Sequence, residues 1–150
     1  MQILLRTDST NPDFVALVRL LDAELAVRDG DDHDFYHQFN KIDHIRHVVL
    51  VVEDGRPVAC GAFKEFAPDT VEIKRMFTLP EARGRGMAIR ILAELEAWAA
   101  ELSYKKCVLE TGINQPEAIA LYRKCAWRQI PNYGQYAGVD TSLCFEKSIR

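Results

Sequence analysis

A short glycine–arginine turn is the stretch of this sequence whose residue types point most directly to chemistry. Arg83, Gly84, Arg85 and Gly86 alternate just before a segment with helical periodicity, within "TLPEARGRGMAIRILAEL". The first amides of a helix have no intrahelical acceptor and the helix dipole makes that end positive, so anions bind well there. Glycines let the backbone approach a bulky diphosphate, and arginines add charge-assisted hydrogen bonds. The turn therefore predicts a diphosphate site; the alternative is a glycine turn with solvated arginines.

The spacing of this turn differs from that of the common nucleotide-binding loops. Ile89 stands where the third glycine of G-x-G-x-x-G would be. A P-loop would require Gly-Lys-Ser/Thr, and that sequence does not follow. The turn therefore argues against an ordinary NAD or ATP site.

Two segments together resemble a known family. The pattern Arg83-x-x-Gly86-x-Ala88, after a strand ending "MFTLPEA", resembles the acyl-CoA signature of the GNAT N-acetyltransferases, Gln/Arg-x-x-Gly-x-Gly/Ala. Further on, "LYRKCAW" resembles the family's Leu-Tyr-x-x-x-Gly-Phe, with Ala126 and Trp127 replacing the glycine and the phenylalanine. The resemblance spans roughly residues 47 to 147. It implies the GNAT acyl-CoA N-acyltransferase fold and direct transfer of an acetyl group from acetyl-CoA, the acyl donor, to a primary amine.

The resemblance also implies which residues bind the coenzyme. The strand before the turn would offer backbone groups to the pantetheine arm, and the turn would hold the diphosphate. Family members often carry an asparagine seven residues before the tyrosine of the second segment; Gln115 stands there and Asn114 precedes it. Either residue could contact the arm, and Asn114 could instead cap the following helix. The predicted cofactor-binding residues are Met76, Phe77, Thr78, Arg83, Gly84, Arg85, Gly86, Met87, Ala88, Asn114 and Gln115.

Glu72 is the candidate base for the acceptor amine. An alkylamine has a pKa of about 10.4, so a base, or water relayed by one, helps remove its proton at neutral pH. Glu72 lies six residues before Thr78, where several family members carry a catalytic glutamate. In a regular strand its side chain would point to the same face as those of Lys74, Met76 and Thr78. A β-bulge would break this alternation of side chains. The alternative is a surface glutamate paired with Lys74 or Arg75.

Tyr122 is the candidate acid, because the family's usual donor to the departing thiolate stands at this position. A phenol with a pKa of about 10 can protonate a thiolate whose conjugate acid has a pKa of about 8.5. The alternative is a tyrosine that only packs along its helix. By the same resemblance, a backbone N–H near Phe77 would stabilise the oxyanion.

A cluster of histidines suggests a rival chemistry. All four histidines lie between residues 33 and 47, and His33 and His37 are spaced i, i+4 around Asp34, a loose match to the His-Glu-x-x-His of zinc proteases. A zinc site needs a third protein ligand. The candidates are His44, His47 and Asp29. No supporting element marks that ligand, so we expect a solvated helix face or a lip of the acceptor site, and no metal.

By resemblance, two segments shape the acceptor end. The first, "RDGDDHDFYHQF", combines carboxylates with aromatics, which favours a cationic, amine-bearing acceptor; the alternative is ordinary acidic surface. The second, "PNYGQYAGVD", contains Tyr133, Gly134 and Tyr136 and predicts a loop that could form a mobile lip. The acceptor, a small-molecule or peptide amine, is not identified further.

Periodicity and turn signals predict the elements that position these residues. Apolar residues at three- and four-residue steps predict helices from about 12 to 28 and near 86 to 102, and "QPEAIALYRKCAW" predicts another. Asp54-Gly55 between two β-rich runs predicts a hairpin. The element order is β-α-α-β-β-β-α-β-α-β. It indicates an α/β (α+β) fold with a mixed, mostly antiparallel central sheet flanked by helices.

Composition bounds the remaining possibilities. The chain has 150 residues and 48% hydrophobic content, which predicts a single domain over residues 1–150. Its net charge of -3 argues against general nucleic-acid binding, and no apolar run of ~18 residues predicts a membrane span. The sequence shows no secretion signal, and its four cysteines are widely scattered. Both observations indicate reduced thiols in a cytoplasmic protein. A homodimer paired through an exposed edge strand is a further expectation. A non-catalytic acyl-CoA-binding module is the alternative function.

Overall fold

A seven-stranded sheet forms the centre of the protein. The computed structural model describes residues 1–29 and 44–149. The strands are β1 (Gln2–Thr7), β2 (His47–Glu53), β3 (Arg56–Ala67), β4 (Thr70–Thr78), β5 (Lys106–Gly112), β6 (Arg128–Ile130) and β7 (Ser142–Ser148). They lie in the order β1-β2-β3-β4-β5-β7-β6, and only β4 and β5 pair in parallel within this described sheet. The predicted mixed, mostly antiparallel sheet is confirmed.

Three α-helices accompany the sheet in the described residues. They are α1 (Pro12–Asp29), α2 (Met87–Glu101) and α3 (Pro116–Lys124). The side chain of Asn11 starts α1 by accepting hydrogen bonds from the amides of Asp13 at 2.8 Å and Phe14 at 3.4 Å. The second helix expected within the histidine-bearing segment lies mostly outside the described residues. None of the described helices is long and apolar enough to span a membrane.

The prediction missed one strand. The three residues of β6 pair with β7 at the sheet edge and are exposed or half-buried. So short a segment shows no alternation of apolar and polar residues long enough to be read from sequence. The predicted hairpin between β2 and β3 is confirmed, with Asp54 and Gly55 at φ values of 51° and 82°, as a type I′ turn requires.

The apolar stripe of α2 packs against the sheet. Its buried residues are Met87, Ile91, Leu92, Leu95 and Ala99. Leu102, which continues the same helical spacing, lies just past the helix end and is 45% exposed. Gly61 of β3 permits the close approach of the helix. A Cβ at that position would lie 2.5 Å from Ile91 Cγ2 and 2.5 Å from Met76 Sδ.

Strands β4 and β5 separate after a short parallel contact. They pair only from Thr70 to Glu72 on β4, and β4 then continues to Thr78 without β5 as a neighbour. Beyond Glu72, β5 therefore forms no ladder with this side of β4, and a space opens between the two strands. This is where the sheet opens into a cleft.

A bulge changes the facing of side chains along β4. Cys60 of β3 pairs with Phe77 and Ala62 pairs with Lys74, so β4 carries one extra residue between these pairs. Arg75, at the bulge, has a φ of 61°. Because cross-strand partners share a face, Glu72 shares its face with Lys74 and Phe77. A regular strand would place Glu72 on the same face as Lys74, Met76 and Thr78. This prediction is correct for Lys74 and wrong for Met76 and Thr78.

Candidate active site

A cleft of about 500 Å³ opens between the separated strands. Its walls come from β4, β5, the C-terminal half of α1, the turn before α2, and α3. The predicted site residues that line it are Glu72, Met76, Phe77, Thr78, Arg83, Gly84, Gly86, Met87, Ala88, Gln115 and Tyr122. Two predicted residues, Arg85 and Asn114, are not among the lining residues.

The start of α2 presents backbone donors to this cleft. The first hydrogen bond of the helix runs from the amide of Arg90 to the carbonyl of Gly86 at 3.1 Å, so the preceding helical amides have no intrahelical acceptor. Gly84 and Gly86 have φ values of 77° and 81°, and no atom lies within 4 Å of a Cβ built at either position. Glycine is therefore favoured at these sites by backbone conformation rather than by crowding. The arrangement suits an anionic group.

The two arginines of the turn have different surroundings. Arg83 lines the cleft, donates from Nε to the carbonyl of Thr78 at 2.9 Å, and forms an ion pair with Glu24 of α1 at 2.6 Å. Its guanidinium also lies 5.6 Å from the centre of the Phe77 ring. Arg85 instead pairs with Glu53 of β2. Only Arg83 therefore has its side chain placed at the cleft.

Gln115 and Asn114 are separated by the structure. The side-chain amide nitrogen of Asn114 donates to the backbone carbonyl of Arg28 at 3.3 Å, and this hydrogen bond connects the start of α3 to the end of α1. Gln115 is the N-cap residue of α3, and no side chain caps this helix end. The capping alternative for Asn114 is therefore wrong, and Gln115 is the residue of the pair that lines the cleft.

Glu72 lies inside the protein, not on its surface. It is 4% exposed, and its Oε2 accepts a hydrogen bond of 2.7 Å from the hydroxyl of Tyr133. The alternative of a surface glutamate is therefore wrong. Lys74 lines the same cleft, and burial lowers the pKa of its ammonium, an effect that the charges of Glu72 and Glu110 oppose.

Tyr122 is held at the cleft by the way α3 ends. The amide of Ala126 donates to the carbonyl of Arg123 and the amide of Trp127 to that of Tyr122, which is a Schellman motif. The rings of Tyr122 and Trp127 meet at 5.9 Å, the apolar contact that accompanies this motif. Burial raises the pKa of Tyr122, with Glu110 adding to the shift, so its phenol stays protonated at neutral pH. The side chain thus packs and also lines the cleft.

Sequence reasoning missed that Tyr133 contacts Glu72. The tyrosine was predicted only as part of a loop at the acceptor end, 61 residues from the glutamate. Glu110, another cleft residue, was not predicted either. Neither residue belongs to a motif, and no spacing in the sequence connects them to β4.

The histidine cluster is only partly described. His33 and His37 lie outside the described residues, as do the side chains of the acidic patch from Asp29 to Asp34. His44 is exposed, and the ring of His47 stacks on Phe63 at 4.6 Å. Across residues 1–29 and 44–149, no group of three or more His, Cys, Asp or Glu side chains could hold a metal ion.

Most of the cysteine side chains are buried. All four are free, and Cys60, Cys107 and Cys144 are buried while Cys125 is half-buried. Burial raises the pKa of Cys60 and of Cys107 to about 12 and that of Cys144 to about 11. These three thiols are therefore poor nucleophiles in the folded protein.

The chain is similar to a known family, to curated proteins and to solved structures. A family model described as the acetyltransferase (GNAT) family matches residues 14–127. An IAA acetyltransferase of Azospirillum brasilense is 38% identical over 99 residues. That match covers 63% of this chain and 63% of the relative, so less than two thirds of the relative's length.

Solved structures share the fold over the whole chain. A protein of Klebsiella pneumoniae, named as an acyl-CoA N-acyltransferase, matches with a TM-score of 0.84 and 26% identity, covering 100% of this chain and 99% of the other. A GNAT acetyltransferase of Elizabethkingia anophelis with acetyl-CoA bound matches with a TM-score of 0.59 and 18% identity. This second match covers 68% of this chain and 75% of the other, and it supports the fold alone.

Proposed function

The chain belongs to the acetyltransferase (GNAT) family, and from that premise we propose that it transfers the acetyl group of acetyl-CoA directly to a primary amine. The observation that carries the proposal is that a single cleft brings together four features. They are the open side of β4, the amide-rich start of α2, the buried Glu72 and the protonated Tyr122. A donor site and an acid–base pair therefore share one space.

Acetyl-CoA would bind along the separated strands. Met76, Phe77 and Thr78 line the cleft where β5 no longer pairs with β4, which suits the amide groups of a pantetheine arm. The diphosphate would lie at the start of α2, on the backbone amides from Gly84 to Ala88 with Arg83 beside them. Arg85 would contribute its backbone only, since its side chain pairs with Glu53.

Gln115 is the better placed of the two candidates at the start of α3, because Asn114 is engaged with the end of α1. The acetyl-CoA complex of the Elizabethkingia protein supports the choice of donor at the level of a shared fold.

Chemistry would proceed by addition and elimination. Glu72 takes the proton of the acceptor amine, directly or through water, and the amine nitrogen bonds to the thioester carbonyl carbon. A backbone N–H near Phe77 stabilises the negative charge that develops on the carbonyl oxygen. The carbon–sulfur bond then breaks, and Tyr122 gives its proton to the departing thiolate. The nitrogen, which still carries one proton more than an amide, releases that proton, and the tyrosine is protonated again. The products are the N-acetylated amine and free CoA.

Turnover and binding measured on the same variants test these roles. A positioned acid or base contributes about 10²–10⁴-fold to rate, so we expect Glu72→Gln and Tyr122→Phe each to lower kcat by at least about 10²-fold. The dissociation constant for acetyl-CoA, measured by calorimetry, should stay within about twofold, because neither change touches the predicted diphosphate site. Glu65→Gln is the matched control, since Glu65 accepts a 2.7 Å hydrogen bond from Tyr104 outside the cleft.

The result also decides between the enzyme and a non-catalytic acyl-CoA-binding module. Full turnover in Glu72→Gln would overturn the assignment of the base. Uptake of acetyl-CoA by the wild-type protein without release of CoA thiol on any amine would favour the binding module. The acceptor panel should include polyamines, amino acids and peptides, together with IAA, which the Azospirillum relative is named for.

A further inference from the structure

The loop between β6 and β7 reaches back to the proposed base. Tyr133 lies at the start of a short 3-10 turn spanning Gly134–Tyr136, and its hydroxyl donates to Glu72 Oε2 at 2.7 Å. Because the glutamate is only 4% exposed, water has little access to replace this donor. A buried carboxylate of this kind relies on protein donors for its hydrogen bonds.

Ring contacts and hydrogen bonds within the loop hold Tyr133 in position. The Phe66 ring packs edge-on against it with centroids 5.0 Å apart, and the Tyr136 ring does so at 5.9 Å. The neighbouring Asn132 side chain donates to the carbonyls of Val139 and Ser142, both at 3.0 Å. These contacts close the base of the loop and hold the phenol over the glutamate.

We propose that Tyr133 is a positioning residue for acetyl transfer, which holds the carboxylate of Glu72 in the orientation that a base requires. The inference rests on the proposed role of Glu72. With Oε2 occupied by the phenol, Oε1 is the oxygen that takes the proton of the amine. Tyr133 acts through Glu72 and needs no contact with the acceptor.

The donor persists over the working pH range. Burial and the negative charge of Glu72 both raise the pKa of the Tyr133 phenol, so it stays protonated well above neutral pH. The other titratable groups around Glu72 are Lys64, its cross-strand partner on β3, and Lys74, Glu110, Tyr136 and Cys144. None of these changes in Tyr133→Phe, so this variant removes one donor from an otherwise constant set.

The test is the split between kcat and KM in Tyr133→Phe. Phenylalanine keeps the ring contacts and deletes the hydroxyl, so the carboxylate loses the hydrogen bond that orients it. We expect kcat to fall about 3–10-fold and KM for the acceptor amine to stay within about twofold, because the lost contact is with the base and not with the substrate. The acetyl-CoA dissociation constant should be unchanged. In a Glu72→Gln background the same substitution should cost less than about twofold more, because both changes act on one group.

Tyr104→Phe is the matched control. Tyr104 also donates to a glutamate, Glu65, at 2.7 Å, but outside the cleft, so its loss should leave kcat unchanged. Wild-type kcat in Tyr133→Phe, with Glu72→Gln inactive, would overturn the inference and leave the proposed function standing. Full activity in Glu72→Gln would remove the base itself and overturn both.

Discussion

The two ends of the cleft are built in different ways. The proposed cofactor end comes mainly from one continuous stretch, from Met76 to Ala88, in which a strand runs into a left-handed turn and then a helix. The proposed acid–base end brings together Glu72 of β4, Tyr122 of α3 and Tyr133 of a loop. Those three residues are far apart in the sequence, and only the order of strands in the sheet makes them neighbours.

The difference shows which sites a motif can encode. A diphosphate is recognised by backbone amides, and the shape of a short backbone segment is set largely by its own glycines and by the following helix. An ionisable side chain needs partners that desolvate and orient it, and those partners come from elsewhere in the chain. Substitutions that affect one end and spare the other test this separation.

The largest effect is expected where both ends depend on one contact. Gly61→Ala would place a methyl group 2.5 Å from Ile91 Cγ2 and from Met76 Sδ, so α2 and the bulged part of β4 must both shift. Overpacking of this kind costs about 1–3 kcal/mol, measured as a lower free energy of unfolding in urea. Acetyl-CoA binding should weaken as well, because the helix that offers the amides moves.

A second substitution checks the cause of that loss. Ile91→Ala removes Cγ2, so the double variant should be less destabilised than the sum of the two single variants. Strictly additive losses would contradict a direct clash between the two side chains.

The next effect should be confined to the cofactor end. Gly86→Ala puts a Cβ on a residue with a φ of 81°, which costs about 1–2 kcal/mol without any steric contact. If the turn must keep that conformation to bind the diphosphate, the dissociation constant for acetyl-CoA should rise about tenfold. Gly55→Ala is the control: its φ is 82° and its surroundings are equally open, but it lies in the hairpin between β2 and β3. Equal loss of binding in both variants would count against a specific role for the turn.

The smallest effect should raise stability and spare both ends. Ala126 occupies the left-handed position of the Schellman motif, with a φ of 69°, where glycine is favoured. Ala126→Gly should therefore increase the free energy of unfolding by about 0.5–1 kcal/mol, with kcat and the acetyl-CoA dissociation constant unchanged. A lower midpoint in thermal unfolding would show that the alanine methyl group contributes packing here.

Much of the fold followed from local patterns. The starts of α1 and α3 are marked by proline at the first helical position. The start of α2 is followed by an apolar stripe, of which Ile91, Leu92, Leu95 and Ala99 are buried. The hairpin at Asp54-Gly55 was predicted because both residues accept positive φ. The strand β6 was missed, since three residues are too few to show a period.

The extra residue in β4 could not be predicted from the sequence either. A bulge depends on the pairing of two strands, and the unusual φ falls on Arg75, a residue type that gives no signal of it. The sequence therefore predicted the wrong neighbours for Glu72, because the bulge places Phe77, and not Met76 or Thr78, on the same face of the sheet.

By itself the sequence determined the order of the described elements apart from β6, the glycine turn at the start of α2, and the family to which the chain belongs. These depend on interactions between residues close in the chain. Only the tertiary structure decided that Glu72 is buried, that Tyr133 donates to it, and that Arg83 lines the cleft while Arg85 does not. Burial and partner choice depend on which distant strands and loops meet, and no local pattern carries that information.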